Sequence, residues 1–69
     1  MKIEAPWPGT VQEILVGVGD TVAAEQAVVT LESMKMMSPV PSPGAGAVVA
    51  IHVSVGDFVE QGVLLLTIE

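Results

Sequence analysis

The chain has 69 residues, of which 51% are hydrophobic and 14% charged, so we expect one small globular domain over residues 1–69. Cysteine is absent and His52 is the single histidine, which excludes a disulfide scaffold and a zinc site built from His and Cys. Eight acidic residues against two lysines give a formal net charge of −6, so we expect no nucleic acid and no anionic membrane surface as a partner.

We expect no targeting signal in the N-terminal segment. It lacks the basic start and the apolar stretch of a secretory signal, and Pro6 and Pro8 would interrupt one. The longest run without strongly polar residues, 44–51, is far shorter than the roughly 18 residues that a membrane-spanning helix needs. We therefore expect a cytoplasmic protein with no direct membrane insertion.

Two similar halves, residues 1–32 and 38–69, flank a five-residue joint, Ser33–Met37. Every matched pair of residues is 37 positions apart, and the alignment needs no gap. The matched residues are Pro6, Gly9, Val11, Ile14, Val16, Val18, Gly19, Asp20 and Val22 in the first half and Pro43, Gly46, Val48, Ile51, Val53, Val55, Gly56, Asp57 and Val59 in the second. Such a repeat predicts two half-domains related by a pseudo-twofold axis.

Short β-strands are predicted in each half because Val and Ile recur there in short runs. Alternating apolar residues over Ile14–Val18 and Ile51–Val55 predict strands with one face in the core. Gly19-Asp20 and Gly56-Asp57 then predict turns, and Ala23–Ala27 is predicted to be a loop because it is too short for a stable helix. We therefore predict an all-β fold, either a small sandwich or a flattened barrel.

A hairpin turn centred on Met34-Lys35 is predicted at the joint, pointing away from both termini. The residue types there favour helix, but the repeat aligns residues 28–32 with the strand-like segment 65–69, and three prolines follow within eight residues of Lys35. Two-residue hairpin turns usually contain Asn-Gly or Asp-Gly, because positive φ is costly for a residue with a Cβ. The unusual Met-Lys turn, with three methionines in the joint, indicates a functional site.

Lys35 is predicted to be a site of covalent modification. The only other lysine is Lys2, near the N-terminus, and a lone amine on a rigid tip with apolar neighbours is a good target. No nucleophile–base pair, metal-ligand cluster or phosphate-binding loop is recognisable, so we predict no catalytic residue, no metal and no enzymatic activity. His52 is predicted to be an ordinary strand side chain, and Gly9 and Gly46 are predicted to serve turns or a close approach of strands.

Four features together point to one family: the stretch Glu32–Met36, the opening Ala5–Val11, the two Val-Gly-Asp turns and the repeat. The chain resembles, over essentially its whole length, the biotinyl domain of biotin-dependent carboxylases and decarboxylases, the biotin carboxyl carrier family. The resemblance implies a flattened barrel of two four-stranded antiparallel sheets, with biotin attached through an amide bond to Lys35 on a hairpin turn. Met34 and Met36, together with Glu32, match positions through which the biotin protein ligase recognises its target.

The resemblance implies a non-catalytic carrier, as in acetyl-CoA carboxylase-like ligases. Biotin on Lys35 would receive a carboxyl group at a biotin carboxylase, from ATP and bicarbonate, and deliver it to a carboxyltransferase that loads an acyl-CoA or an oxo acid. We expect a monomer, because the repeat already pairs the two halves. The chain departs from the family pattern at Ser33, Met37 and Trp7, where Ala, an acidic residue and Met are usual, and it lacks the thumb segment of some acetyl-CoA carboxylase carriers.

Two other functions stay open on the sequence. A lipoyl carrier domain of a 2-oxo acid dehydrogenase-type complex shares the fold, the repeat and a lysine at the same tip, although its lysine usually follows Asp and precedes Ala. An unmodified interaction module would instead dock its methionine-rich tip on a partner through adaptable apolar contacts.

Overall fold

The computed structural model describes residues 1–69 and contains eight strands and no helix. The strands are β1 (Lys2–Glu4), β2 (Gly9–Ile14), β3 (Thr21–Val22), β4 (Ala27–Ser33), β5 (Met36–Pro41), β6 (Gly46–Ile51), β7 (Phe58–Val59) and β8 (Leu64–Ile68). They form two four-stranded antiparallel sheets, β1-β8-β6-β3 and β5-β4-β2-β7, which we call the termini sheet and the hairpin sheet. The predicted all-β fold of two four-stranded antiparallel sheets is confirmed. The structure has no helix able to cross a membrane.

The internal repeat is visible in both the strands and their connections. Strands β2 and β6, β3 and β7, and β4 and β8 each begin 37 residues apart, and the order of one sheet maps onto the order of the other. The backbone bonds between the two halves of the repeat are also reciprocal, since Gly19 N–H donates to the Val48 carbonyl and Gly56 N–H to the Val11 carbonyl, both at 2.8 Å. The pseudo-twofold repeat is therefore confirmed, and each half holds the other in place.

The core lies between the two sheets and is made almost entirely of β-branched and leucine side chains. Fourteen buried apolar residues form one cluster, and Trp7, Ile14, Ile51 and Val53 pack against it. The cluster contains Ile3, Ala5, Val11, Val16, Val22, Val28, Val29, Leu31, Val40, Val48, Val59, Leu65, Leu66 and Ile68. No buried side-chain nitrogen or oxygen lacks a hydrogen-bond partner, so the small core carries no unsatisfied polar side chain.

The two Gly-Asp turns are built as predicted. Gly19 and Gly56 both have φ of +96°, a left-handed conformation in which glycine carries no Cβ penalty. The Asp20 carboxylate accepts the Gly17 N–H at 2.8 Å, and Asp57 makes the equivalent bond at 2.9 Å. Each turn is therefore fixed by a glycine conformation and by an aspartate that bonds to the backbone three residues earlier.

The strands predicted at Ile14–Val18 and Ile51–Val55 are wrong beyond their first residues. Strands β2 and β6 end at the first residue of each segment, and Val18 and Val55 are 65% and 63% exposed. The reason is the Asp bond, which reaches back three residues and starts the turn inside the alternating segment. Leu15 and His52 still donate one backbone hydrogen bond each to the neighbouring strand, and Val16 and Val53 still face the core, so the alternation holds only until the turn begins.

The predicted loop at Ala23–Ala27 is confirmed, except that its last residue begins β4. Glu25 in this loop has φ of +68°, and its repeat partner, Gly62, has φ of +90°. The two halves therefore use the same left-handed turn, but only the second half places a glycine in it.

Gly9 and Gly46 are equivalent in the repeat and mark a close approach of two strands. A Cβ on Gly9 would lie 2.8 Å from the Glu32 carbonyl oxygen, and one on Gly46 would lie 2.7 Å from that of Glu69. These distances are shorter than any normal carbon–oxygen contact, so only glycine fits. The predicted close approach is confirmed, and one of the two positions lies directly beside the end of β4.

The two termini meet in the termini sheet. The Met1 ammonium group donates to the Ile68 carbonyl at 2.5 Å, and the Ile68 N–H donates to the Met1 carbonyl at 2.7 Å. Because β1 and β8 correspond to β5 and β4 in the repeat, the termini take the place that the hairpin tip takes in the other sheet.

Candidate functional site

The candidate site is the turn between β4 and β5. Ser33 and Met36 form the last cross-strand pair, so Met34 and Lys35 are the two residues of a minimal hairpin turn. Strand β4 lies between β5 and β2 in the hairpin sheet, and its Val28, Val29 and Leu31 side chains are fully buried. The turn therefore joins an inner strand of the sheet to its edge strand, and the predicted hairpin is confirmed.

The backbone of the turn is in an unfavourable conformation. Met34 has φ of +51° and Lys35 has φ of +67°, the left-handed region at both central positions. This is the geometry of a type I′ turn, which suits the twist of a hairpin but disfavours residues with a Cβ. The left-handed conformation costs roughly 1–2 kcal/mol per residue with a Cβ. Met34 and Lys35 therefore destabilise the turn relative to Asn or Gly.

The side chains around the turn are exposed. Met34 is 93% exposed, Met36 69% and Met37 61%, and Lys35 is exposed between them. Long apolar side chains in water gain nothing for the core, so they contribute little to the stability of this fold. An amine on such a protruding turn can enter the active site of another protein, where it would be enclosed.

Lys2 offers a contrast to Lys35. It lies on the edge strand β1, opposite Thr67, within regular sheet structure. The α-amino group of Met1 is tied to the Ile68 carbonyl. Of the three amines of the chain, only that of Lys35 stands on an exposed turn, where another protein can reach it.

Glu32 lies one pair below the turn. It is exposed and stands opposite Met37 on one side and Thr10 on the other. Directly opposite residues of antiparallel strands share a face, so Glu32 lies on the outer face of the hairpin sheet. Of the residues predicted at the site, the structure brings together Glu32, Met34, Lys35 and Met36.

A groove beside the turn was not predicted from the sequence. It has a volume of about 450 Å³ and is lined among others by Pro8, Thr10, Glu32, Met34, Lys35 and Phe58. Phe58, the only phenylalanine of the chain, is 67% exposed instead of contributing to the core. The signal that could have found it is a break in the repeat, because the residue equivalent to Phe58 is Thr21.

His52 and the acidic side chains form no catalytic or metal-binding cluster. His52 is exposed just after β6, and its Nε2 atom lies 3.0 Å from the Thr67 hydroxyl in a hydrogen bond. His52 was predicted to be a strand side chain, but it lies on the surface one residue beyond the end of β6. No three His, Cys, Asp or Glu side chains lie close enough together to hold a metal ion.

Comparison with known proteins agrees with this geometry. Residues 1–68 match the model of the biotin/lipoyl family, described as "Biotin-requiring enzyme". The chain is 50% identical over 64 residues to a biotin carboxyl carrier protein of Streptococcus mutans, covering 93% of this chain and 49% of that protein. It is also 54% identical over 57 residues to a dihydrolipoyllysine-residue acetyltransferase component of the pyruvate dehydrogenase complex of Cupriavidus necator, covering 83% of this chain and 10% of that protein.

Solved structures show the same fold. The chain superposes over its full length on 6% of the Kluyveromyces lactis urea carboxylase, with a TM-score of 0.93 and 30% identity. The chain thus spans about half the length of the carrier protein that it matches and a tenth or less of the two larger proteins. The match to the family model over nearly the whole chain, on a two-sheet barrel with a lysine at its hairpin turn, shows that the chain belongs to the biotin/lipoyl family of carrier domains.

Proposed function

We propose that this chain is a biotin carboxyl carrier domain with biotin held in an amide bond to Lys35. The observation that carries the proposal is the turn itself, where Met34 and Lys35 are exposed and keep a left-handed backbone at a cost in stability. Such a local conflict between residue type and backbone is expected where a sequence serves function. The biotin-dependent relatives and the urea carboxylase likeness support the same cofactor.

The residues around Lys35 fit attachment of a carboxylic acid. A biotin protein ligase first joins the biotin carboxylate to the AMP part of ATP, and pyrophosphate leaves. The Lys35 Nζ atom then attacks the carboxyl carbon, AMP leaves, and the nitrogen loses a proton as the amide forms. Met34 and Met36 present adaptable apolar surfaces on both sides of the amine, which suits recognition by the ligase. Glu32 lies within the same surface and is proposed to take part in that recognition.

The folded body supplies position rather than chemistry. Bound biotin supplies a ring nitrogen that can accept and release a carboxyl group. The chain holds its attachment point on a rigid hairpin, so that the arm samples a small volume at a high effective concentration next to each partner. The proposed partners are a biotin carboxylase, which would load the carboxyl group, and a carboxyltransferase, which would pass it to an acyl-CoA or oxo acid.

A transfer assay tests this function. The chain is first biotinylated by a biotin protein ligase and then incubated with a biotin carboxylase, ATP and labelled bicarbonate. We expect the label on wild type and on the matched control Lys2→Arg, and none on Lys35→Arg, which keeps the charge but cannot be biotinylated there. A biotinylated wild-type chain that accepts no label would contradict the proposed carrier function.

A lipoyl carrier is the second candidate, and the 54% identity to a dihydrolipoyllysine-residue acetyltransferase component favours it. Biotin is proposed over lipoate because both neighbours of Lys35 are Met, where lipoyl domains usually carry Asp and Ala. Parallel reactions with a lipoate ligase and a biotin protein ligase, followed by intact mass, separate the two. Lipoylation without biotinylation would replace the first proposal by the second.

A further inference from the structure

A row of four residues crosses the outer face of the hairpin sheet next to the turn. Thr10 on β2 stands opposite both Phe58 on β7 and Glu32 on β4, and Glu32 stands opposite Met37 on β5. Three of these side chains are exposed and Thr10 is half-buried. The row therefore runs across all four strands, with apolar side chains at its two ends and polar ones in the middle.

The repeat shows that the fold does not require this row. The position equivalent to Phe58 is Thr21, and the position equivalent to Thr10 is Ala47, which pair in the same way in the termini sheet. The groove beside Lys35 is lined by both Thr10 and Phe58. An exposed phenylalanine that the other half replaces with threonine is not needed to build the barrel.

The chemistry of the groove matches that of a cyclic urea. Such a ring has two N–H donors and one carbonyl acceptor. The Glu32 carboxylate accepts hydrogen bonds, and the Thr10 hydroxyl donates one, while Phe58 and Met34 offer apolar contact to the rest of the ring system. A volume of about 450 Å³ lies within the range of small-molecule sites, about 300–1,000 Å³.

We propose that the groove is a docking site for the biotin ring carried by Lys35 of the same chain. The inference rests on the proposed function, since it takes biotin as the attached group. Lys35 itself lines the groove, so the ring is tethered at its rim. A short flexible tether gives an effective concentration on the order of 1 mM, so a groove with a dissociation constant of about 1 mM would be filled about half of the time.

Docking would protect the ring between transfers and leave it free to swing out to a partner. The docked and free arms exchange by the opening of a few weak contacts, and a partner that binds the free arm pulls it from the groove. Phe58 is in this view a residue that sets the population of the docked arm, and it takes no part in attachment.

The test compares wild type with Phe58→Thr, which installs the residue of the equivalent position in the other half. Val18→Thr is the matched control, because Val18 is equally exposed but does not line the groove. All three chains are biotinylated, and intact mass confirms one biotinyl group on each. Streptavidin capture is then followed by stopped flow, and amide chemical shifts are recorded with and without biotin.

We expect streptavidin to capture Phe58→Thr about twofold faster than wild type, because only the free arm can be captured. Val18→Thr should match wild type. Biotinylation should also shift the amides of Thr10 and Phe58 in the wild-type chain. Equal capture rates for all three chains, with shifts confined to residues 33–37, would overturn the docking site while leaving biotin attachment intact. A chain that gains no biotin would overturn the proposed function and the docking site together.

Discussion

The residues at the hairpin turn lower the free energy of unfolding, and a better turn sequence should raise it. Met34 and Lys35 sit at φ of +51° and +67°, where each side chain costs roughly 1–2 kcal/mol. The double substitution Met34→Asn, Lys35→Gly lowers this cost, since Asn tolerates the left-handed region and Gly has no Cβ. Glycine also loses about 0.5–1 kcal/mol more backbone entropy on folding, so we expect a net gain of about 1 kcal/mol in the free energy of unfolding.

Urea and thermal unfolding measure this gain. Trp7 is the only tryptophan and packs against the core, so its fluorescence reports the loss of tertiary structure. A gain of about 1 kcal/mol corresponds to a rise of about 4–8 °C in Tm for a domain of this size. Lys35→Ala is the control and should stay within about 0.5 kcal/mol of wild type, because alanine keeps the Cβ at the same φ. An unchanged or lower Tm for the double variant would refute the strained turn.

Two further effects follow from the backbone. Gly9→Ala and Gly46→Ala should each lower the free energy of unfolding by about 1–3 kcal/mol, because their Cβ atoms would overlap a strand carbonyl, whereas Gly17→Ala, with its nearest neighbour at 3.8 Å, should change it little. Similar urea midpoints for all three variants would argue against the close approach. Glu25→Gly should raise the free energy of unfolding by about 0.5 kcal/mol and Gly62→Ala should lower it by about 1 kcal/mol, because both positions have positive φ. Shifts of the same sign in the two Tm values would contradict this reading of the loop.

The architecture could be predicted from the sequence because the internal repeat relates the strands and turns of the two halves. A single offset of 37 residues placed the turns, aligned the strands of the two halves and isolated the joint, and the structure follows that offset strand by strand. Pro and Gly-Asp positions are informative because they act through local backbone geometry. The hairpin was predicted from the repeat and from the prolines that follow it, and the residue types Met34 and Lys35 then indicated that its turn is strained.

The ends of the longer strands could not be predicted from alternation. Val18 and Val55 continue the apolar pattern, but the Asp bonds to the backbone end the strands earlier, and such bonds have no periodicity. The groove was missed because it joins Phe58, Thr10 and Glu32, which lie on three different strands. The register that brings them side by side cannot be inferred from the sequence of any single strand. A residue that breaks an internal repeat was the one available sign.

The chain offers a direct way to locate the modification. Trypsin can cut only after Lys2 and Lys35, because there is no arginine, and it does not cut after an acylated lysine. An unfolded, unmodified chain is therefore cut into residues 1–2, 3–35 and 36–69. A chain acylated on Lys35 is cut only after Lys2 and keeps residues 3–69 in one piece.

The measurement that tests the central claim most directly is the mass of these fragments after reaction with a biotin protein ligase, biotin and ATP. We predict an uncut fragment 3–69 that carries one biotinyl group. Cleavage after Lys35 with no gain in mass, or a biotinyl group that prevents cleavage after Lys2 instead, would contradict the assignment of Lys35 as the attachment site.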